Sequence, residues 1–284
     1  MKHLAVKTPT KIIEIVSALK ECSNNYVILA GGTDLLVNTN TEIRESDTLI
    51  DLSKVQGMNY IKLIDGELQI GSNTTFSEIA VSDLVKKHGR CLAQSAELVG
   101  SPQIRNRATI GGNVANCSAA ADSIPPLIAL GAEIGIMDSN GVRSKIKIEE
   151  FIAWEKGKLN KDKCFIEYFG IPITSKHLLS GFSRIGSRSS VTISKLSIAM
   201  SFQLGEKEII QSPRIGMGAV GKTAVRMTRL EKLITGKPLD KELITALGTL
   251  LSLELEESLK GRASMPYKKR AVIGVVQDLY SNLK

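Results

Sequence analysis

The sequence predicts a chain of two domains, each of which mixes α-helices with β-strands. Apolar residues recur at helical spacing in several segments, beginning with 10–20 and ending with 270–283. Two turn pairs, Asp65-Gly66 and Asn140-Gly141, each separate two short apolar runs, which is typical of a β-hairpin. The chain has 284 residues, enough for two domains of ordinary size. A polar loop over 156–163 precedes the boundary, which we place between residues 174 and 175.

In the first domain, residues 1–174, the predicted elements alternate along the chain. We expect helices at 10–20, 76–84, 90–99 and 123–130. We expect strands at 26–30, 48–52, 60–64, 67–70, 133–137, 142–148 and 164–173. In the second domain, residues 175–284, a β-branched and serine-rich run covers 189–201. It is followed by a strand at 213–220 and by helices at 223–234, 241–259 and 270–283.

Two glycine segments in the first domain predict ligand loops. The first, VILAGGTDLLV over 27–37, runs from a strand through Gly31-Gly32 to the cap-type residues Thr33 and Asp34. A single Gly-Gly pair more often marks only a tight turn that needs a positive φ. A second segment with the same polar continuation favours a ligand, and exposed N–H groups beside a helix N-terminus suit a phosphate.

The second segment, RATIGGNVANCSAAADSIPPL over 107–127, contains Gly111-Gly112 and then Asp122, which precedes a predicted helix start. Arg105 and Arg107 lie just before the Gly111-Gly112 pair, and they face either a phosphate or solvent. Neither segment is a G-x-G-x-x-G or carries the lysine of a G-x-x-x-x-G-K-[ST] loop. These absences argue against a standard dinucleotide-binding fold and against a nucleoside triphosphatase.

Composition excludes several other classes of protein. Hydrophobic residues make up 43% of the chain, but no apolar run approaches the length of a membrane span. The N-terminus lacks a secretory signal, so we expect a cytoplasmic location. The net charge of +8 raises the possibility of a nucleic-acid-binding protein. The basic residues are scattered, however, and aromatic residues make up only 4%, so we expect no nucleic acid partner.

The cysteines and histidines do not predict a metal site. Cys22, Cys91, Cys117 and Cys164 form no C-x-x-C pair, and the three histidines have no metal-ligand spacing. Cys117 lies inside the second glycine segment, where its thiol can approach a ligand. The chain also shows no nucleophile and base in a recognisable pattern, so we assign no catalytic residue.

The two glycine segments, AGGTDLLV and TIGGNVANCSAAAD, resemble the FAD-binding medium subunit of the molybdenum hydroxylases. That family includes xanthine dehydrogenase, carbon monoxide dehydrogenase and nicotinate dehydrogenase. RIGMGAVGKTAVR over 214–226 and PYKKRAVIG over 266–274 are similar to its C-terminal domain, so the resemblance covers essentially the whole chain. It implies an α+β fold, with a vanillyl-alcohol-oxidase-type FAD-binding domain over 1–174 and a smaller α+β domain over 175–284.

The resemblance also implies the residues that hold FAD. Those of the first segment are Leu29, Ala30, Gly31, Gly32, Thr33, Asp34 and Leu35. Those of the second segment and its surroundings are Val99, Thr109, Ile110, Gly111, Gly112, Asn113 and Asp122. Asp122 accepts from cofactor hydroxyls, caps a helix, or does both. Arg184 stands where the family has a lysine, and it either stabilises reduced, anionic flavin or is structural. Ala119 and Lys222 replace family prolines without removing a ligand group.

The function that the resemblance implies is electron transfer. A molybdopterin-binding large subunit oxidises the substrate, expected to be a purine or another N-heterocycle, with carbon monoxide as a further option. A small subunit with two 2Fe-2S clusters delivers the electrons to FAD, which reduces NAD or another acceptor. The alternatives are a stand-alone flavin-dependent oxidase of the same FAD-binding superfamily, for which the chain is short, and a non-enzymatic binding protein, which leaves both glycine segments unexplained.

Overall fold

The computed structural model describes residues 5–22, 26–37, 43, 48–154, 158–173, 178–188 and 191–283. Within these residues, three sheets and their helices form three buried apolar clusters. One cluster lies in the first half of the chain and one in the second, and the largest combines residues of the first half with Phe182, Ala199 and Ala224 of the second. None of the described helices combines the length and the apolar character that a membrane crossing requires.

A small parallel sheet opens the first domain and supports the first glycine segment. Its strands are β1 (Ala5–Lys7), β2 (Tyr26–Leu29) and β3 (Thr48–Asp51), in the order β1-β3-β2. Helix α1 (Ile12–Glu21) connects β1 to β2 and buries Ile15 and Leu19. Since α1 presents these residues at helical spacing, it packs its apolar face on the sheet.

An antiparallel five-stranded sheet forms the rest of the first domain, with the strand order β4-β5-β8-β6-β7. Its strands are β4 (Ile61–Ile64), β5 (Glu67–Gly71), β6 (Glu133–Asp138), β7 (Arg143–Lys147) and β8 (Cys164–Pro172). Six helices lie between β5 and β6: α2 (Phe76–Val81), α3 (Asp83–His88), α4 (Arg90–Leu98), α5 (Pro102–Arg105), α6 (Ile110–Asn116) and α7 (Ile124–Ala129). Two short helices, α8 (Ile148–Ile152) and α9 (Lys158–Lys161), precede β8.

The second domain packs helices on an antiparallel four-stranded sheet of order β12-β11-β10-β9. Its strands are β9 (Leu178–Ile185), β10 (Leu196–Leu204), β11 (Ile210–Gly218) and β12 (Val225–Arg226). Its helices are α10 (Thr228–Ile234), α11 (Lys241–Ser258) and α12 (Met265–Asn282). The α+β prediction is therefore confirmed for both halves of the chain.

Buried hydrogen bonds join the two halves along α4 and α7. The backbone N–H of Cys91 donates to Ser180 Oγ at 3.2 Å, and that of Phe182 donates to Gln94 Oε1 at 2.8 Å. Ser201 Oγ donates to the carbonyl of Ala129 at 2.6 Å. Since these polar groups are shielded from water, each bond would be costly to leave unmade. The contacts therefore hold the second sheet against α4 and α7.

Several element boundaries differ from the sequence-based prediction. The helix expected over 76–84 is interrupted at Ser82, whose hydroxyl caps the next helix by accepting from the N–H of Val85. The helix expected from Thr223 begins at Thr228, because Val225 and Arg226 pair with β11 as a strand. The last helix starts earlier than expected, at Met265.

Two further predictions concern the connection between the domains. The polar loop expected over 156–163 contains the short helix α9 in its described part. The predicted domain boundary, between residues 174 and 175, falls outside the described residues and stays a prediction.

Candidate functional site

The first glycine segment is a turn at the end of β2. Gly32 has a φ of +72°, which glycine adopts without strain, and its carbonyl accepts from the N–H of Leu36 at 3.0 Å. Gly31 is needed for a different reason. A Cβ at that position would lie 2.0 Å from the carbonyl oxygen of Arg107, so a side chain is incompatible with this backbone approach.

The amides of this turn are free to bind a ligand. Among the residues that the structure describes, the N–H groups of Gly31, Gly32 and Thr33 donate to no acceptor. All three residues are half-buried, as are Leu29, Ala30 and Leu35 around them. Consecutive, partly shielded N–H groups with no protein acceptor form a concavity that favours an anion such as a phosphate. This turn thus has the donors that the sequence predicted.

The second glycine segment is a helix rather than the expected loop. Helix α6 begins after Thr109, whose hydroxyl accepts from the N–H of Gly112 at 3.1 Å. Neither Gly111 nor Gly112 has a positive φ, so a tight turn that needs a positive φ does not explain this glycine pair. Gly111 is required by packing instead, because a Cβ there would lie 2.6 Å from the Cβ of Ser72.

The first turn of α6 has no N–H group left for a phosphate. The N–H of Ile110 donates to the carbonyl of Thr74 at 3.0 Å, and that of Gly111 donates to the carbonyl of Ser72 at 2.9 Å. The N–H of Asn113 donates to the Thr109 carbonyl at 3.0 Å. The expectation of exposed amides in this segment is therefore wrong, because residues 72–75 run beside it and accept its hydrogen bonds.

The exposed part of α6 nevertheless offers a surface on which a cofactor can lie. Gly112 is exposed, and a Cβ there would meet one neighbour, Thr109 Oγ1, at 3.1 Å. Asn113 is half-buried, and its Oδ1 accepts from the hydroxyl of Ser123 at 2.7 Å. A flat cofactor group can therefore approach the backbone at Gly112 without meeting a side chain from that residue.

Two contacts bring the glycine segments together. One is the approach of the Gly31 backbone to the carbonyl of Arg107. The other is a hydrogen bond of 3.0 Å, in which Nδ2 of Asn116 donates to Oδ2 of Asp34. The segments therefore form one site, although about eighty residues of sequence separate them.

Asp122 does not cap the following helix. The N-cap residue of α7 is Ser123, which makes no capping hydrogen bond through its side chain, and the helix continues with Pro125 and Pro126. Prolines have no N–H, so this helix start cannot donate to a phosphate in the way that the sequence suggested. Asp122 is buried instead and faces the second domain.

Asp122 forms an ion pair with Arg184 between the domains. Its Oδ2 accepts from Arg184 Nη1 at 2.7 Å, and its Oδ1 accepts from Ser194 Oγ at 2.6 Å. The two charged side chains are only 7% and 6% exposed. Burial raises the pKa of the Asp122 carboxyl, and the contacts with Ser194 and Arg184 oppose that rise.

Two clefts flank this ion pair. One has a volume of about 310 Å³ and lies between Leu98 and the turn of residues 184–188. The other, of about 260 Å³, lies between Leu98, Phe182 and the end of α12. Both are lined by Arg184 and Leu98, so this arginine and the C-terminal end of α4 form a wall between them.

Three other residues considered in the sequence, Val99, Arg105 and Cys117, lie at the ends of α4, α5 and α6. Val99 is half-buried after α4 and packs against the main core. Arg105 Nη1 donates to the carbonyls of Val99 and Gly100, at 3.2 and 3.3 Å. Cys117 ends α6 with a φ of +47°, and partial burial raises the pKa of its thiol. No group of metal-ligating side chains occurs among the described residues.

The sequence reasoning missed the residues that support the site from elsewhere in the chain. Residues 72–75 accept the hydrogen bonds of α6, and Ser194 and the Leu98 carbonyl bind Asp122 and Arg184. Their residue types are ordinary, so no motif in the sequence marked them. Strand pairing and domain docking bring them to the site.

Comparison with protein families covers nearly the whole chain. Residues 2–174 match the family described as the FAD binding domain in molybdopterin dehydrogenase. Residues 182–283 match the CO dehydrogenase flavoprotein C-terminal domain. The chain belongs to the FAD-binding subunits of the molybdenum hydroxylases. FAD is the cofactor of this family member, which is an oxidoreductase subunit.

Curated relatives of this flavoprotein subunit are similar over most of their length. The nicotinate dehydrogenase FAD-subunit of Eubacterium barkeri is 29% identical over 260 residues, which cover 90% of this chain and 87% of the relative. The xanthine dehydrogenase FAD-binding subunit of Escherichia coli O157:H7 is 27% identical, with 89% and 87% covered. The chain thus aligns with these subunits through both domains.

A solved structure has the same fold. Carbon monoxide dehydrogenase from Hydrogenophaga pseudoflava contains a chain that matches with a TM-score of 0.87 at 22% identity, covering 99% of this chain and 96% of that one. The similarity supports the two-domain architecture. The cofactor-binding roles of the individual residues stay predictions.

Proposed function

We propose that this subunit transfers electrons from the 2Fe-2S clusters of a partner subunit, through FAD, to NAD or another acceptor. A second partner, the molybdopterin-binding large subunit, would oxidise the substrate. Several relatives support this proposal, because they are subunits of nicotinate and xanthine dehydrogenases and of a carbon monoxide dehydrogenase. The first two substrates named are N-heterocycles, so we propose a purine or another N-heterocycle for this complex.

The observation that carries the proposal is the turn of Gly31, Gly32 and Thr33. Its N–H groups, free among the described residues, suit the pyrophosphate of FAD, which has two negative charges. Asp34, tied to Asn116, would hold the second glycine segment against the same cofactor. Gly112 would let the cofactor approach the backbone, and Asp122 would accept from its hydroxyls.

FAD would supply the redox chemistry, since it can exchange electrons with both one-electron and two-electron partners. The residues of this chain would bind and orient it. We propose that the 2Fe-2S clusters belong to the partner subunit. In this proposal, this chain binds FAD and the large subunit oxidises the substrate.

The first experiment is the visible absorption spectrum of the purified chain, followed by chromatography of the chromophore released by acid. We expect FAD that is held without a covalent bond. A covalent flavin, or FMN, would contradict the proposal and support a different branch of flavoenzymes.

A second experiment separates electron transfer from direct substrate oxidation. Under anaerobic conditions, the FAD-loaded chain is mixed with nicotinate, hypoxanthine or benzyl alcohol, and in a parallel sample with a reduced 2Fe-2S ferredoxin. We expect the ferredoxin to bleach the flavin and the small molecules to leave it oxidised. Bleaching by the alcohol in the absence of any partner would favour the stand-alone oxidase.

A further inference from the structure

Arg184 is one of two residues through which the second domain contacts Asp122, and the other is Ser194. Arg184 lies near the end of β9, yet its guanidinium contacts two separate parts of the first domain. Nη1 donates to Asp122 Oδ2 at 2.7 Å, and Nη2 donates to the carbonyl of Leu98 at 2.6 Å. Nη1 also lies 3.1 Å from the carbonyl of Thr192 and 3.2 Å from Ser194 Oγ.

These contacts fix the orientation of the Asp122 carboxylate. Arg184 binds one carboxylate oxygen and Ser194 binds the other, so the group cannot rotate without breaking a hydrogen bond. Each carboxylate oxygen has two lone pairs, and each oxygen therefore keeps one acceptor position beyond these contacts. A carboxylate held in this way is prepared to accept from a hydroxyl group.

The Arg184 guanidinium is itself occupied by protein acceptors. Its side chain is 6% exposed, and both terminal nitrogens donate to oxygens of the protein. Arg184 is thus better placed to hold Asp122 than to contact a flavin ring directly. The fork of an arginine is needed for this arrangement, because a lysine ammonium is a single point charge that does not reproduce two diverging contacts.

We propose that Arg184, together with Ser194, is a positioning residue that orients Asp122 to accept from the hydroxyl groups of FAD. This inference rests on the proposed role of Asp122 in holding FAD. It differs from the sequence-based hypothesis that Arg184 stabilises an anionic flavin, because here Arg184 acts through Asp122. It also makes the second domain a contributor to the affinity for FAD.

The test is a double-mutant cycle on the dissociation constant of FAD, measured by fluorescence quenching with apo-protein. The variants are Asp122→Asn, Arg184→Lys and the double variant. We expect each single change to weaken FAD binding about tenfold, the scale of one charge-assisted hydrogen bond. Because Arg184 acts through Asp122, the double variant should bind within about twofold of Asp122→Asn.

Arg214→Lys is the matched control. Arg214 also lies in the second domain and also contacts the first, since its Nε donates to the carbonyl of Ile128 at 3.0 Å and its Nη2 lies 2.5 Å from Glu149 Oε1. A role in domain docking alone would give Arg214→Lys and Arg184→Lys the same effect on FAD affinity. We expect Arg214→Lys to lower the thermal midpoint while FAD affinity stays within about twofold of the wild type.

Ser194→Ala keeps the experiment decisive if Arg184→Lys does not fold. It removes the contact to Oδ1 but leaves the ion pair, so we expect weaker FAD binding in the wild-type background and no further effect with Asp122→Asn. If the changes in the FAD dissociation constant multiply in the double variant of either cycle, the two residues act independently, and this result would overturn the positioning role. Unchanged affinity in Asp122→Asn would do the same while leaving FAD binding intact, whereas a wild-type chain that takes up no FAD would refute the proposed function itself.

Discussion

Asn116 donates through Nδ2 to Oδ2 of Asp34 at 3.0 Å, so the C-terminal end of α6 is tied to the turn that follows β2. This bond joins the two glycine segments at one end, and the approach of Gly31 to the Arg107 carbonyl joins them at the other. The predicted cofactor site is therefore assembled from two parts of the chain that are about eighty residues apart in the sequence.

Gly31→Ala should destabilise the protein even without FAD. The new Cβ would lie 2.0 Å from the Arg107 carbonyl oxygen, so the backbone must move, and overpacking of this kind costs about 1–3 kcal/mol. The measurement is the free energy of unfolding of the apo-protein in urea. Gly274→Ala is the control, because a Cβ there meets nothing within 4 Å and the helix should gain about 0.5–1 kcal/mol. Equal stability of both variants would show that the close approach is absent.

Gly112→Val should abolish retention of FAD while it leaves the fold largely intact. Gly112 is exposed, and its Cβ would meet just Thr109 Oγ1, so the apo-protein tolerates a side chain that would occupy the space of the cofactor. The measurement is the ratio of flavin to protein after gel filtration, together with the circular dichroism spectrum. Gly274→Val, on the exposed face of α12, should keep its flavin. A normal flavin content in Gly112→Val would remove α6 from the site.

Glu149→Gln should weaken the docking of the second domain. Glu149 Oε1 lies 2.5 Å from Arg214 and 3.6 Å from Arg226. Its change to Gln removes the carboxylate partner of Arg214, whereas Arg226 keeps its ion pair with Glu231. The side chains are about a quarter exposed, and we therefore expect a loss of about 1–3 kcal/mol, less than for a fully buried pair. Chemical unfolding at low and at high salt measures this loss in the free energy of unfolding. Glu256→Gln breaks the more exposed pair with Lys269 and should cost less than about 1 kcal/mol.

The pH dependence of stability should reveal the contribution of Glu78. Burial alone would raise the pKa of this carboxylate, but the hydrogen bonds from Thr75 and Asn59 outweigh burial and lower it. A carboxyl with a lowered pKa in the folded state stabilises the protein above its unfolded pKa of about 4.3, and this contribution disappears as the pH falls through the folded value. Wild type should therefore exceed Glu78→Gln in unfolding free energy at pH 6, and the difference should shrink toward pH 3. A constant difference would exclude this linkage.

Local chemistry explains which parts of the fold could be predicted. Asp65 and Gly66 both have positive φ in the first hairpin, as expected of that turn pair, and the predicted strands lie on either side of them. In the second hairpin turn, Gly141 has a positive φ but Asn140 does not. Glycine also marked the turn that follows β2, because Gly32 has a positive φ there.

Contacts between distant residues explain what could not be predicted. The second glycine segment looked like a loop, yet Ser72 and Thr74 accept its first hydrogen bonds and allow a helix to start. Asp122 looked like a helix cap, but Arg184 binds it from 62 positions away, in the second domain. The sequence next to the second glycine segment or next to Asp122 does not show which distant residues contact them.

Gly31 and Gly112 differ in the reason for which evolution can keep a glycine: the first is needed for the packing of the chain, and the second for the proposed approach of the cofactor. Gly31 is required by the polypeptide itself, because the Arg107 carbonyl occupies the space of a side chain whether or not FAD is bound. Gly112 has no such constraint from its own chain beyond the contact with Thr109. A descendant that no longer used flavin should therefore retain the first glycine and be free to replace the second, so that position 112 would record the loss of the cofactor and position 31 would not.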